Sequence, residues 1–210
     1  MVNSNDSWQP FWEERFKMPG YRYGKEANEF VQSSEPRLVR ESSVLCIAEG
    51  EGRNAVFLAE RGHRVTTWDY AEAAITKQQE LAAEKGVTLD ATLQVDLRNA
   101  PWQKEVWDAI VCVFWSFEEA LRIATLDAAA DAVKQGGWVI FEVYSKQQLA
   151  YGTGGPKELD WLFQLSDFTG AFPAETWHWA HLFTGEVMRS EGELHQGLSH
   201  VIQVAVKKRA

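Results

Sequence analysis

The stretch from Val44 to Asp69 constrains the fold more than any other part of this 210-residue chain. An apolar run, Val44 to Ala48, ends at Gly50-Glu51-Gly52, and the helical pattern that follows ends at Gly62. A second β-rich run ends at Asp69, nineteen residues after Gly50. Such glycines let the backbone approach a ligand, and the start of the helix aims its free N–H groups at the same place. The pattern predicts a nucleotide-type cofactor site at the edge of a parallel sheet, with Asp69 on ribose hydroxyls.

Strand and helix patterns alternate along the first two thirds of the chain. After the first strand, the predicted strands are 64–69, 88–95, 106–114 and 138–144, and the predicted helices are 53–61, 71–85 and 118–135. The pattern then changes to a predicted helix at 158–168 and two strands, 176–191 and 198–206, joined by a polar turn. We therefore expect an α/β fold with a doubly wound, mostly parallel seven-stranded sheet that finishes in a C-terminal antiparallel hairpin.

Chain length predicts one main domain, residues 41–210, with residues 1–40 as an N-terminal segment that packs over the site. In that segment Trp12, Tyr21 and Tyr23 are candidates to close over a cofactor, although core packing is the commoner role for such rings. The polar start, Met1 to Asp6, is expected to be frayed.

Charge and composition narrow the class of partner. The net charge is −9, and the basic residues form no cluster beyond Lys207-Lys208-Arg209, so we expect no nucleic acid partner. We also expect no membrane span, no metal site and a cytoplasmic location, because the chain shows no long apolar run, no secretory leader and no metal-ligand spacing among His178, His181 and His200. Cys46 and Cys112 fall in predicted strands and are expected to be reduced thiols.

Several further short motifs occur along the chain. They are Tyr23-Gly24 with Asn28, residues 50–54, Asp69, Asp96, Gly136-Gly137, Tyr144 with Gln148-Leu149, residues 153–156, and Arg189-x-Glu191-Gly192-x-x-His195-x-Gly197. With these motifs the chain, from Trp12 to Lys208, resembles the class I S-adenosylmethionine-dependent methyltransferases, and more closely the tellurite-resistance and thiopurine methyltransferase-like group. The resemblance implies S-adenosylmethionine as cofactor. We expect a monomer or homodimer.

The resemblance also implies which residues hold the cofactor. They are Ala48, Glu49, Gly50, Gly52, Asn54, Asp69, Tyr70, Asp96, Leu97 and Phe114. Asp96 with Leu97 would bracket the adenine, and Phe114 would face the crevice. Each assignment has a structural alternative: a tight turn for the glycines, a helix cap for Asp69, a loop acid for Asp96, and aromatic core for Phe114 and Trp115.

Arg189 and His195 are the candidate catalytic residues, since both lie near the C-terminal hairpin, where relatives approach the methyl acceptor. Arg189 would hold an anion through paired N–H donors, and His195 would bind the same anion or take a proton. The alternative is that Arg189 pairs with an acid such as Glu191 and that His195 shapes a turn.

Three positions depart from the pattern of the relatives. Cys46 stands where an acid is usual, Ala48 where a glycine is common, and Ser116 where a histidine is frequent. Glu49 is a candidate to compensate for the missing acid.

The predicted function is methyl transfer to a small-molecule acceptor: a chalcogen oxyanion, a thiol or an amine. The alternatives are a non-catalytic S-adenosylmethionine-binding protein and an NAD(P)-dependent oxidoreductase. Gly50, Gly52 and Ala55 formally match the dinucleotide pattern of the oxidoreductase, but the C-terminal hairpin argues against it.

Overall fold

A computed structural model describes the backbone from residue 8 to residue 210 and the side chains from residue 10 onward. The predicted frayed start, Met1 to Asp6, lies outside the described residues.

The described chain forms a seven-stranded sheet in the order β3-β2-β1-β4-β5-β7-β6. The strands are β1 Ser43–Ile47, β2 Arg64–Asp69, β3 Ala91–Gln94, β4 Trp107–Val113, β5 Val133–Tyr144, β6 Trp177–Glu191 and β7 His195–Lys208. The first five are parallel, while β7 runs antiparallel to both β5 and β6. The predicted fold class is confirmed, and the order reverses direction between β1 and β4, where open α/β sheets bind ligands.

Six α-helices accompany the sheet in the described residues. They are α1 Trp8–Lys17, α2 Glu29–Ser34, α3 Arg53–Glu60, α4 Glu72–Lys85, α5 Glu119–Ala132 and α6 Leu165–Ala171. Gly86 ends α4 in the left-handed conformation, with its N–H bonded to the last turn, as the glycine in the sequence suggested.

The core lies on both faces of the sheet because β1 and β4 are buried between two layers. Leu45 and Ile47 pack into one apolar cluster and Val44 and Cys46 into the other, as the alternation of a strand requires. This two-sided burial explains why β4 reads as an almost continuous apolar run.

Several element boundaries differ from the sequence prediction; β3, for example, is shorter than the predicted 88–95. Strand β5 begins at Val133 rather than at 138, because residues before a bulge already pair with β4. The expected helix at 158–168 divides into a 3-10 turn, Leu159–Trp161, and α6. The hairpin is longer than expected, so His195 is the first residue of β7.

Candidate active site

A cavity of about 580 Å³ lies at the carboxyl ends of the parallel strands, within the range of small-ligand sites. One part of its wall, here called the glycine-loop side, consists of Ala48, Glu49, Gly50, Glu51, Arg53, Asn54, Asp69, Tyr70 and residues 95–98. The other part, here called the hairpin side, consists of residues 113–118, Leu121, Tyr144, residues 154–158, Trp161, Leu194 and His195.

In the glycine loop every second residue has a left-handed backbone conformation: Ala48 at φ 47°, Gly50 at 66° and Gly52 at 96°. Ala48 is strained there, because a side chain disfavours this conformation, and a glycine would relieve the strain.

Gly52 differs from its sequence-predicted role, since it does not line the cavity. A Cβ on Gly52 would lie 2.9 Å from the Gln78 Cα, so this glycine lets the loop pack against α4. A Cβ on Gly50 would lie 3.4 Å from the ring of Phe16 in α1. Gly52 therefore serves close packing against α4, whereas Gly50 makes ordinary contact with α1 and is the one of the two glycines that borders the cavity.

Glu49 caps helix α3. One carboxylate oxygen accepts the backbone N–H groups of Asn54 and Ala55, both at 2.9 Å. Burial raises the pKa of the Glu49 carboxyl to about 7, against the opposing effect of these N–H donors and of Arg53. Cys46 points into the core as a buried thiol, so Glu49 supplies the acid that anchors this loop.

Asp69 ties the end of β2 to the glycine loop. Its two oxygens accept the N–H of Gly50 at 2.7 Å and the N–H of Ala71 at 2.9 Å. Burial raises its pKa to about 6 despite these bonds. Asp69 thus bonds the start of α4, as its alternative role as a helix cap requires. Each of its oxygens nevertheless keeps a lone pair, and the residue lines the cavity.

The acid after β3 is held by a neighbouring arginine. Both oxygens of Asp96 accept from Arg98 Nε at 2.9 Å, and Arg98 also donates to the Tyr70 hydroxyl at 2.9 Å. Burial opposes ionisation of Asp96, but its bonds with Arg98 outweigh burial and lower the pKa. Asp96, Leu97 and Tyr70 all line the glycine-loop side, as predicted.

Asn54 also lines the cavity, but its side-chain oxygen accepts the N–H of Asn28 at 2.9 Å. This bond fastens the N-terminal segment to the glycine loop.

Phe114 is at the centre of the hairpin side. It follows β4 in the left-handed conformation, with φ 57°, and stacks on Tyr144 at 4.4 Å between ring centroids. Its ring lies 4.5 Å from that of His195. A strained backbone beside a ligand cavity is a common feature of functional sites. Trp115 also borders the cavity, and its ring packs against Phe117 and Phe163 in the apolar core.

Arg189 does not line the cavity. Its guanidinium bonds the buried carboxylate of Glu142 and reaches Glu191 at 3.2 Å. The interpretation that Arg189 pairs with Glu191 is confirmed, and direct contact with an acceptor would require these ion pairs to open.

The ion pairs around Arg189 extend across the molecule. Arg53 donates to Glu191 at 2.7 Å, and the Asn28 amide bonds both Glu142 and Glu191. Burial would raise the pKa of Glu191, but His195, Arg53 and Arg189 together lower it to about 2. We call Asn28, Arg53, Glu142, Arg189 and Glu191 the buried ion network.

His195 lines the cavity and is 6% exposed. Its ring lies between Phe114 and Tyr23, whose ring centroid is 4.6 Å away. Its Nδ1 lies 3.9 Å from Glu191. Since His195 begins a strand, it does not shape the turn, and Gly192 has the turn conformation instead.

The N-terminal segment covers the glycine-loop side. Phe11, Trp12, Arg15, Phe16 and Tyr23 line the cavity, and Phe16 packs on Ala71 and Ala74 of the α4 region. Tyr21 does not line it, because its hydroxyl donates to the backbone of Lys77.

Contributors that were not predicted as site residues include Phe16, Glu51, Glu142 and Glu191, together with Arg53, Arg98 and Tyr144. Glu51 accepts from the Tyr23 N–H at 3.1 Å and from Lys77 at 2.7 Å, which fixes the segment over the loop. The central glutamate of Gly50-Glu51-Gly52 and the resemblance motif at Glu191 were the available signals. Nothing local in the sequence marks Glu142.

No group of three or more His, Cys, Asp or Glu side chains suited to a metal occurs in the described residues. None of the described helices is long and apolar enough to cross a membrane.

Residues 44–137 match the family described as methyltransferase domain. The match runs from β1 into β5. The match indicates a methyltransferase enzyme, and such an enzyme on this fold implies S-adenosylmethionine as its cofactor. No curated protein matches the chain significantly.

Solved structures agree with the fold of this methyltransferase. One, from work on the conversion of a disulfide bond into a thioacetal group during echinomycin biosynthesis, is 19% identical with a TM-score of 0.74, covering 97% of this chain and 91% of its own. TehB from Haemophilus influenzae is 15% identical, with a TM-score of 0.66 and coverages of 96% and 67%. A SAM-dependent methyltransferase from Methanosarcina mazei is 12% identical, with a TM-score of 0.65 and coverages of 88% and 99%. The narrower tellurite-resistance and thiopurine group stays a prediction.

The donor set of the methyltransferase fits S-adenosylmethionine. Asp69 offers carboxylate lone pairs to hydroxyl donors, and Glu49 and Asp69 provide negative charge toward a cationic ligand. The aromatic rings of the N-terminal segment cover the same side. Asp69, Glu49 and Asp96 are the residues that would hold the cofactor.

Proposed function

We propose that this methyltransferase acts on a small molecule, which binds on the hairpin side while the cofactor binds on the glycine-loop side. The observation that carries the proposal is that the two sides belong to one cavity, with Phe114 in its wall. A volume of about 580 Å³ suits small ligands rather than a folded macromolecule. The net charge of −9 also disfavours nucleic acid as the acceptor.

The cofactor, when bound, supplies a methyl group on a sulfonium. The chain's part is to align the acceptor with that group and to exclude water, and alignment alone is worth ~7–11 kcal/mol of barrier. Asp69 is proposed to hold the ribose, Asp96 and Leu97 the adenine, and Ala48, Glu49, Gly50, Asn54 and Tyr70 the remaining surface. Gly52 supports the loop from α4.

His195 is proposed to contact the acceptor, since it lines the hairpin side. Arg189 is proposed as a positioning residue, since its ion pair with Glu191 sets the place of the carboxylate beside His195.

The first test is calorimetric titration of the full chain with S-adenosylmethionine, S-adenosylhomocysteine, NADH and NADPH. Binding of the two adenosyl ligands alone is expected. The enzyme is then incubated with methyl-labelled cofactor and with separate small-molecule, RNA and protein fractions. Label in the small-molecule fraction supports the proposal, whereas label only in RNA or protein contradicts it. Cofactor binding without transfer to any fraction would favour the non-catalytic alternative.

A further inference from the structure

The cavity offers little to a free anion. Among the described residues, the cations that line it are Arg15, Arg53, Arg98 and Lys157. Arg53 and Arg98 are paired with the carboxylates of Glu191 and Asp96. Arg15 of the N-terminal segment donates to the Tyr23 hydroxyl, and Lys157 is exposed to solvent. An oxyanion on the hairpin side would therefore lose its water without gaining an unpaired buried cation in the described part of the chain.

The walls of the hairpin side suit a flat, apolar body. They include the side chains of Phe114, Phe117, Leu121, Tyr144, Pro156 and Trp161. Aromatic walls of this kind bury large apolar area and favour stacked or edge-on contacts with another ring.

His195 presents one nitrogen to a ligand. Nδ1 is turned toward Glu191, 3.9 Å away, and has no hydrogen-bond partner within residues 10–210, which leaves Nε2 for the cavity. Burial lowers the pKa of His195, and Arg53 and Arg189 lower it further against the opposing effect of Glu191. The ring is therefore neutral at neutral pH, and its unprotonated nitrogen accepts a hydrogen bond.

Tyr144 supplies the complementary donor. It is 2% exposed and lines the hairpin side, and its buried hydroxyl makes no hydrogen bond of ordinary geometry in the described chain, although the Ser199 side chain is near enough to oppose the rise in its pKa. Burial raises the pKa of Tyr144 above its ordinary value, so the hydroxyl stays protonated. The loop at Gly154 rests on this hydroxyl, because a Cβ on Gly154 would lie 3.0 Å from it.

Resting on the function proposed above, we propose that the acceptor is an uncharged hydroxyl compound with a flat apolar body. Tyr144 donates a hydrogen bond to the acceptor oxygen, and His195 Nε2 accepts the acceptor proton. A hydroxyl is the group that donates and accepts at one atom. A fully ionised oxyanion brings no proton for His195, and a thiol makes weaker hydrogen bonds and ionises near neutral pH without a base.

The transfer balances without a further reactant. The O–H bond breaks and its proton moves to His195 Nε2, while a lone pair of the acceptor oxygen forms the new bond to the methyl carbon. The electron pair of the broken carbon–sulfur bond stays on sulfur, which leaves S-adenosylhomocysteine. The imidazolium then returns its proton to solvent.

The binding test uses naphthol, with naphthoate, thionaphthol, tellurite and selenite as comparison probes. Each is titrated into the full chain saturated with S-adenosylhomocysteine. Naphthol is expected to bind at least about tenfold more tightly than naphthoate, because the carboxylate would be buried without a cation. Tellurite and selenite are expected not to bind.

The variants are Tyr144→Phe and His195→Gln, with His178→Gln on the exposed face of β6 as the matched control. Tyr144→Phe should weaken naphthol binding about tenfold and leave the free energy of unfolding unchanged or higher, since it removes a buried hydroxyl without a partner. A merely structural hydroxyl would leave the affinity unchanged. His195→Gln should lower naphthol methylation about a hundredfold with S-adenosylhomocysteine binding intact.

Nuclear magnetic resonance of the histidine rings adds a readout independent of turnover. The His195 signal should titrate at a pH below the ordinary histidine range. It should also shift when naphthol is added, whereas addition of naphthol should not shift the His178 signal. The charged and titratable groups that face His195 are Glu191, Arg53, Arg189, Tyr23 and Tyr144.

Several outcomes would overturn the acceptor class while leaving methyl transfer intact. They are tighter binding of tellurite or naphthoate, no binding of naphthol to the loaded protein, and thionaphthol methylation that His195→Gln does not change. Failure of S-adenosylhomocysteine itself to bind would instead contradict the proposed function.

Discussion

The two sides of the cavity are built in different ways. On the glycine-loop side, Glu49 and Asp69 bond backbone N–H groups at most nineteen residues away. Beside His195 of the hairpin side, the buried ion network joins side chains far apart in the chain: Glu142 and Arg189 are 47 residues apart, and Asn28 and Glu191 are 163 apart. The first side is a local structure that a short sequence encodes, whereas the second exists only when the whole sheet has assembled.

This difference bears on the proposed division of the cavity into a cofactor side and an acceptor side. The glycine-loop side needs backbone conformation, so it tolerates the loss of the acid at Cys46 once Glu49 caps α3. The buried ion network beside the hairpin side needs balanced charges, so one lost partner leaves another charge uncompensated.

The largest effect is expected from breaking the buried ion network. Arg189→Met should lower the free energy of unfolding by about 3–5 kcal/mol, because Glu142 would keep a buried charge without its partner. Urea denaturation at neutral pH measures the loss. The double variant Arg189→Met/Glu142→Gln is the control and should recover part of it. Equal instability of the two variants would show that packing rather than charge is responsible.

A smaller effect is expected when the glycine-loop side is changed at its carboxylate. Asp69→Ala should weaken S-adenosylmethionine binding about a hundredfold, since it removes the acceptor of hydroxyl donors and one anchor of the loop. In the parent, affinity should fall as the pH drops through about 6, because protonation removes the Asp69 charge. Calorimetry between pH 5 and pH 8 checks both, and unchanged affinity in the variant would exclude the ribose role.

For Glu49 we expect the opposite dependence on pH, because ionisation of this carboxyl is unfavourable in the folded protein. The pKa of Glu49 in the folded protein, about 7, lies above its value of 4.5 in the unfolded chain. Ionisation therefore disfavours the folded state, and stability falls as the pH rises from the lower of these values to the higher. Glu49→Gln keeps an oxygen for the two N–H groups without the charge. It should be about 1–2 kcal/mol more stable than the parent at pH 8 and similar at pH 5. Urea denaturation at both pH values checks this, and a loss of stability at pH 8 would contradict it.

The smallest effect is expected at Ala48. Ala48→Gly should stabilise the fold by about 0.5–1 kcal/mol, because relief of the left-handed strain exceeds the added flexibility of the unfolded chain. Thermal unfolding measures the change, with Ala55→Gly in α3 as the control that should destabilise. A lower melting temperature for Ala48→Gly would indicate that the alanine methyl packs usefully at the cavity.

Sequence spacing located the glycine-loop side well, because its parts follow one another along β1, α3 and β2. Asp69 lies at the predicted place, and Phe114 faces the cavity as the end of a strand should. Gly52 was predicted to contact the cofactor, but in the structure it packs against α4. Its neighbour could not be predicted, because the contact depends on how α4 packs on the loop.

The hairpin side was less predictable. Strand alternation places Arg189 on one face of β6, but it does not tell which charges arrive on that face from β5 and from the N-terminal segment. Glu142 reads as an acid in an apolar strand, and only the assembled sheet brings Asn28, Arg189 and Gln203 to it.

The sequence by itself determined the order of strands and helices, the glycine loop and the acid at the end of β2. These depend on periodicity and on backbone conformation, which are local properties of the chain. The tertiary structure alone decided that Arg189 is neutralised by Glu142 and Glu191, that His195 borders the cavity, and that Phe16 covers the glycine loop. Those outcomes depend on which distant charges and rings are brought together and removed from water, and a linear pattern does not record that.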